Sequence, residues 1–164
     1  MKLVVPSIRY EYSYRQYIAE LGHEELYPFP LDFEHSNFEA LISRLNDFSL
    51  GQNIPEGYVQ SSTLWLIKGE EIVGVTNIRH CLNDAIAYCG GHIGLGIRPS
   101  SRGKGYGKLL MKLSIDLLQG MAVQPIHIHC HKGNPASANT IKACGGVLES
   151  EITVGDEVVQ RYLV

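Results

Sequence analysis

The stretch that most restricts the fold of this chain is residues 94–107, Gly-Leu-Gly-Ile-Arg-Pro-Ser-Ser-Arg-Gly-Lys-Gly-Tyr-Gly, which passes without a break into the apolar-periodic run 108–118. It reads as a strand ending near Arg98, then a turn, then a helix. Glycines at 103, 105 and 107 let the backbone of the turn pass close to a ligand. Free N–H groups at a helix N-terminus and the positive end of its dipole suit a pyrophosphate, and Arg102, Lys104 and Lys108 add positive charge. Spacing then excludes two familiar cradles. A nucleotide P-loop needs four residues between its glycines and a hydroxyl after the lysine; here three residues separate Gly103 from Gly107, and Leu109 follows Lys108. The dinucleotide fingerprint fails because Lys108 stands where its last glycine belongs. What is left is Arg102-x-x-Gly105-x-Gly107.

Around this stretch the chain has the size of one domain, 1–164, with 45% hydrophobic and 19% charged residues, enough for a substantial core. Fourteen basic against seventeen acidic residues give a formal charge of −3, with no basic stripe to suggest nucleic acid. No apolar run has the length of a membrane span, and the opening residues are too soon interrupted by Pro6 for a signal peptide, so a cytoplasmic protein is expected. Four cysteines, at 81, 89, 130 and 144, form no CxxC pair and read as reduced thiols, although Cys81 and Cys89 would face each other across a hairpin turn at Asp84 and Ala85.

Taken in order, residues 2–8 read as a strand, and 9–21 as a helix whose face is Tyr10, Tyr14, Tyr17, Ile18 and Leu21. A loop rich in acids, aromatics and prolines leads to Asn37, an N-cap for a helix over 38–48. Strands are expected at 63–67, 72–78 and 88–98, and, after the cradle helix, at 125–131. A short helix follows, 135–144, starting on Asn134 with proline first and stopping at Gly145-Gly146. Strands at 147–154 and 157–164 close the chain. The order is β-α-α-β-β-β-α-β-α-β-β, an α/β (α+β) protein with a mixed central sheet of about seven strands, four helices, and the strands flanking the cradle helix as parallel neighbours.

The motif Arg102-x-x-Gly105-x-Gly107, this element order and the segment Asn134-Pro-Ala-Ser-Ala-Asn-Thr-Ile-Lys-Ala-Cys-Gly-Gly146 together resemble the GCN5-related N-acetyltransferase (GNAT) superfamily. Residues 50–62, Asn77-Ile-Arg-His80, Gly91-His-Ile-Gly94 and Gly145-Gly-Val-Leu-Glu149 resemble a bacterial subgroup of predicted acetyltransferases. The resemblance implies an acetyl-CoA-dependent N-acetyltransferase acting by direct attack of an amine in a ternary complex; dimers are frequent among relatives, which leaves a homodimer open, and the sequence does not give the oligomeric state. It implies that Arg102, Gly103, Lys104, Gly105, Tyr106, Gly107 and Lys108 hold the pyrophosphate. Ile97 would pair with the pantetheine arm like an added strand, and Asn134 and Ser137 would complete the cofactor site.

An ammonium of pKa ~10.4 must lose a proton before attack, at a cost of roughly 4–5 kcal/mol at pH 7. His92, where many relatives have a glutamate, is the first candidate for the base, with His80, Glu24 or Glu25 acting through water as alternatives. Backbone N–H groups near 96–98, at a bulge of the strand, would receive charge on the acetyl oxygen. The pattern breaks at Ile141, where many relatives carry the tyrosine that protonates the leaving thiolate; water, Ser137, Asn139 or unaided departure are the options. His127, His129 and His131 alternate along one strand, and the outer two stand ~13 Å apart, too far to share a Zn ion with bonds of ~2.1 Å, so no metal is expected and they read as solvated or acceptor-lining imidazoles. Arg79 could meet an acceptor carboxylate. The acceptor would lie under residues 22–34, whose acids and aromatics suit a cationic, partly apolar amine of a small molecule or peptide. A second class of function is a binding module that keeps the acetyl-CoA cradle as a sensor and has lost catalysis.

Overall fold

The computed structural model describes residues 1–164. Its elements are β1 (Lys2–Val4), α1 (Glu11–Leu21), α2 (Phe38–Leu50), β2 (Ser61–Lys68), β3 (Glu71–Arg79), α3 (Asp84–Tyr88), β4 (Ile93–Ile97), α4 (Tyr106–Gly120), β5 (His127–His131), α5 (Pro135–Ala143), β6 (Val147–Val154) and β7 (Glu157–Leu163). The α+β class and the order of the expected elements hold. One helix is added and the sheet is divided: β1-β2-β3-β4 form one antiparallel sheet, β5-β7-β6 another.

Helix α3 stands where a hairpin turn was expected. Asn83 Oδ1 accepts from Ile86 N–H at 2.9 Å and caps it. Gly90 and Gly91, with φ of 136° and 71°, then break the chain, so β4 begins at Ile93 and not at Tyr88. Cys81 and Cys89 therefore lie at either end of a helix rather than across a turn, and all four cysteines are free. The first strand is likewise shorter than expected, because Ser7 accepts from Arg9 N–H and opens a 3-10 turn.

The split between the sheets has a local cause. Strands β4 and β5 meet at their N-terminal ends, where His92 N–H donates to His127 O at 2.7 Å and Gly91 bridges Ile128. The return bond is not backbone to backbone: His127 N–H donates to Nδ1 of the His92 ring, at 2.9 Å. A side chain has replaced the carbonyl that would have carried the ladder on, and beyond it the strands separate. The expected parallel neighbours thus open as a V, with Leu95, Gly96 and Ile97 on one arm and His129, Cys130 and His131 on the other facing a common cavity.

Two apolar clusters brace this V. One packs Tyr10, Tyr14, Tyr17 and Leu21 of the first helical segment, with Phe38, Leu41, Leu45 and Phe48 of α2, on Trp65, Ile67 and Val75. The other gathers Met111, Ile115 and Leu118 of α4 with Ile141 of α5 against Ile78 and Ile93 of the first sheet and Ile128 and Tyr162 of the second. The second cluster holds the two sheets together from behind.

Candidate active site

Between β4 and α4 the chain makes a 3-10 turn, Pro99–Ser101, and then the glycine loop. Gly103 and Gly105 have φ of 74° and 81°, in the left-handed region that side chains disfavour. Gly105 is the N-cap of α4 and provides no side-chain cap, and the N–H groups of residues 103–108 have no hydrogen-bond partner. Such an end needs acceptors from outside the chain or from water. A Cβ on Gly107 would come no closer than 3.8 Å to any protein atom, so nothing within the protein demands glycine there. Open space over bare N–H groups is what an approaching phosphate requires, and the cradle fits one.

The basic residues of the loop differ in what they do. Arg98 is buried, paired with Glu20 at 2.7 Å and Glu71 at 3.0 Å; it anchors α1 to the end of β4. Lys104 Nζ donates to Ser100 O at 2.9 Å. Arg102 reaches across the mouth of the V: Nε donates to Ile97 O at 3.1 Å, and the guanidinium grips Glu24 with bonds of 3.1 and 2.6 Å. That hydrogen-bonded pairing holds the Glu24 carboxyl below its usual range.

Strand β4 leaves one backbone edge open. Arg98 N–H bonds to the β3 side, with Val73 O, while His92, just before β4, splits its groups, its O to Arg79 N–H and its N–H to His127 O. Since alternate residues of an antiparallel strand turn their N–H and C=O the same way, Leu95 and Ile97 turn theirs toward the V. The bulge expected near residues 96–98 is absent: pairing with β3 runs unshifted from Ile78–Ile93 to Gly74–Ile97, and Arg98 N–H is occupied by Val73 O. Across the V, Asn134 Oδ1 caps α5 by accepting from Ser137 N–H at 3.1 Å, while its amide nitrogen has no partner within the chain. Capping and ligand binding are compatible there.

A cavity of about 400 Å³ occupies the V. It brings together four of the sequence-derived site residues, Ile97, Arg102, Asn134 and Ser137, with Glu24, Glu25 and Tyr27 from the loop after α1. That loop lies directly on β4: a Cβ on Gly96 would stand 2.6 Å from Tyr27 O, and one on Gly94 2.9 Å from the Tyr27 hydroxyl. The glycine alternation of β4 is there to admit the loop. Gly103, Lys104, Gly105, Tyr106, Gly107 and Lys108 form the cradle outside this cavity, joined to it through Arg102.

His92 and His80 are not part of the cavity. His92 is 5% exposed, its Nδ1 lone pair is taken by His127 N–H, and burial, aided by the nearby His127 and Arg79, pushes its pKa down to about 4. A neutral ring accepting at Nδ1 carries its proton on Nε2 and has no lone pair left for a substrate. The expectation that His92 is the general base is corrected on that ground: it clamps the vertex of the V. His80 Nε2 meets Ser62 Oγ at 2.8 Å in a separate cavity beside α2. Arg79 donates to Gly91 O at 2.8 Å and is likewise a structural group. Ile141 is wholly buried in the second apolar cluster, so position 141 offers no acid, and Ser137 is the α5 hydroxyl residue that lines the cavity.

The sequence places Tyr17 only on an apolar helix face and His129 only among solvated or acceptor-lining imidazoles; both line the cavity. The alternation of histidines on β5 was the available signal for His129, since residues two apart share a face.

Two sheets splayed from one vertex, with an uncapped glycine-rich helix N-terminus at the mouth, make the frame of an acetyl-transferring enzyme. The sequence model described as the Acetyltransferase (GNAT) family matches residues 18–145, and the chain belongs to that family, whose enzymes use acetyl-CoA as cosubstrate. Solved structures with the same fold include a spermidine N-acetyltransferase SpeG chimera from Vibrio cholerae and hSSAT, at TM-score 0.67 and 15% identity over 100% of this chain and 96% of that one. A dodecameric spermidine N-acetyltransferase from Vibrio cholerae aligns at TM-score 0.65 and 15% identity, covering 99% of this chain and 92% of its own. A GnaT-family acetyltransferase from Bordetella pertussis aligns at 0.66 and 12%, covering 98% and 93%. No curated protein matches the chain in sequence. No helix is long and apolar enough to cross a membrane.

Proposed function

We propose that this enzyme moves the acetyl group of acetyl-CoA to a primary amine of a small cationic substrate, by direct attack in a ternary complex. One observation carries the reading: a single cavity is lined by Ile97, Arg102, Asn134 and Ser137, the residues expected to hold the cofactor, and by Glu24 and Glu25 of the loop after α1. Glu24 is already paired with Arg102, whereas Glu25 has no ion-pair partner and is free to attract an ammonium. Solved neighbours that act on spermidine support an aliphatic polyamine as the acceptor class.

In this proposal the N–H groups of residues 103–108, with Lys104 and Lys108, hold the pyrophosphate. Arg102 turns from Glu24 and Ile97 O toward the phosphates. Ile97 then offers both backbone groups to the pantetheine arm, and Asn134 its free amide, with Ser137 beside it. The cofactor supplies an activated acyl group; everything else falls to the chain. Glu25, acting through water, takes the proton from the ammonium, a role the clamped His92 ring cannot fill.

Calorimetric titration with acetyl-CoA and CoA, followed by thiol release over spermidine, shorter diamines, amino acids and a peptide N-terminus, tests this. Micromolar binding with release driven best by spermidine is expected, and Glu25→Gln should raise its KM at least tenfold. Binding without release from any amine would favour the sensor reading; no binding would remove the cradle from the argument.

A further inference from the structure

Four buried side-chain polar atoms lack any hydrogen-bond partner: Tyr17 Oη, Trp65 Nε1, Asn77 Oδ1 and His129 Nε2. Two of these residues, Tyr17 and His129, line the cavity of the V. Buried polar atoms are nearly always satisfied, so two orphans on one cavity wall point to a ligand that satisfies them. We propose that Tyr17 Oη–H and His129 Nε2–H form the oxyanion hole of this enzyme, donating to the thioester carbonyl oxygen as charge builds on it. The inference rests on the acetyl-transfer reading above and assigns that reaction two residues.

Hydrogen bonding settles what His129 can offer. Its Nδ1 accepts from Gly90 N–H at 2.9 Å, so the neutral ring carries its proton on Nε2, an unpaired donor on a residue that lines the cavity. Burial, with His127, Arg161, His92 and Arg79 nearby, lowers its pKa to about 4, and the ring stays neutral at pH 7. Tyr17 is wholly buried, and burial raises its pKa against the pull of Arg102 and Arg98, so the hydroxyl keeps its proton too. The hydroxyl lies on the face of β4 that the loop after α1 covers, 3.4 Å from the place of a Cβ on Gly96. Neutral donors stabilise a developing anion and hold no competing counter-charge; both atoms are closed to water here, so a small side-chain shift on cofactor binding must open them to the carbonyl oxygen.

The step balances simply. The amine lone pair forms a bond to the thioester carbon, the C=O π pair moves onto oxygen, and that oxygen is held by the two donors. The pair then returns, the C–S bond breaks, sulfur leaves as the thiolate of CoA, and the proton on nitrogen passes to water. Backbone N–H groups expected for this task near residues 96–98 include Arg98 N–H, which the sheet has already taken.

Asn at position 129 keeps an acceptor for Gly90 N–H and loses the donor; Gln extends an amide N–H to about the Nε2 position; Phe at 17 removes the hydroxyl alone. We expect His129→Asn and Tyr17→Phe each to lower kcat ~100- to 1,000-fold, with CoA affinity within threefold of the unaltered enzyme and about tenfold of kcat restored by His129→Gln. Acetyl-CoA should lose affinity relative to CoA in both variants, because only acetyl-CoA presents the carbonyl. Ring nitrogen-15 spectra should show His129 protonated at Nε2 from pH 6 to 8. Full kcat in His129→Asn and Tyr17→Phe, or a proton on Nδ1, would overturn the oxyanion hole while leaving the cofactor reading intact if CoA still binds. Failure of the unaltered protein to bind CoA would overturn both together.

Discussion

His92 and Glu24 each do by hydrogen bonding what composition alone does not reveal. The His92 ring stands in for a carbonyl at the vertex of the V, and protonating it would remove the lone pair that His127 N–H needs. Its folded pKa, like that of His129, is about 4 against 6.5 when free. Between those values the unfolded chain binds more protons than the folded one, so stability rises with pH across that window and is lost on acidification below pH 6.5. At 1.36 kcal/mol per unit, each ring accounts for roughly 3 kcal/mol by pH 4. Thermal melts at pH 7.5, 6.5, 5.5 and 4.5 should fall steadily below 6.5, and His92→Asn, which cannot protonate, should flatten the slope; an unchanged slope would remove His92 from the account. At the mouth, Glu24 holds Arg102, and in the proposed complex it would compete with phosphate for that guanidinium. The pair is half exposed, 48% on each side, and an exposed pair is weak and screened by salt, so Glu24→Gln should tighten CoA binding by up to about fivefold at low salt and by less at high salt. Weaker binding would mean that Glu24 positions Arg102 instead of holding it back.

At the scale of elements, β4 carries the tightest steric demand in the site. An alanine at 96 would place its Cβ 2.6 Å from Tyr27 O, a backbone atom that cannot swing aside. Gly96→Ala should therefore displace the loop after α1, destabilise the protein by ~1–3 kcal/mol, and raise the amine KM more than it weakens CoA. Equal losses in both would argue that β4 itself had moved. The sequence showed that this strand was rich in glycine and led to a cradle, but it could not show the cause of Gly94 and Gly96, since Tyr27 lies about seventy residues away. Elements governed by their own residues were legible for the same reason: α2 from its Asn37 cap and apolar stripe, α5 from Asn134, Pro135 and the closing glycines, β6 and β7 from alternation about Gly155. What escaped depended on distant partners. The division into two sheets turns on one ring nitrogen of His92 meeting β5, and the donors at Tyr17 and His129 become visible only when burial leaves them unpaired. Helix α3 escaped because its turn residues, Asn83 and Asp84, serve a cap as readily as a hairpin.

For the whole molecule, the two sheets share little backbone hydrogen bonding, one bridge and the His92–His127 pair, and rely on the cluster under α4 and α5 to stay in register. Along the V, Leu95 and Ile97 on one arm turn backbone groups toward the opening, and His129 and His131 do so on the other, since Ile126 and Lys132 bond to the β7 side. An extended ligand arm laid in that opening would pair with edges that the fold leaves bare, and would tie one sheet to the other. Ligand that binds only the folded state stabilises it by RT ln(1 + [L]/Kd), about 2.7 kcal/mol at one hundred times Kd, which for a chain of this length is a rise of about 5–10 °C in Tm. 3′-Phosphoadenosine 5′-diphosphate provides the comparison, because it carries the pyrophosphate for the cradle but no pantetheine for the V. At equal multiples of their own Kd the two ligands must give equal shifts, so the informative quantities are the affinity and the hydrogen exchange of the strands. CoA should bind at least tenfold more tightly and slow exchange at the N–H groups of Leu95, Ile97, His129 and His131, whereas the diphosphate should protect residues 103–108 alone. Protection confined to the cradle with both ligands would mean that the arm does not enter the V, and the cavity between the sheets would have to serve the acceptor by itself.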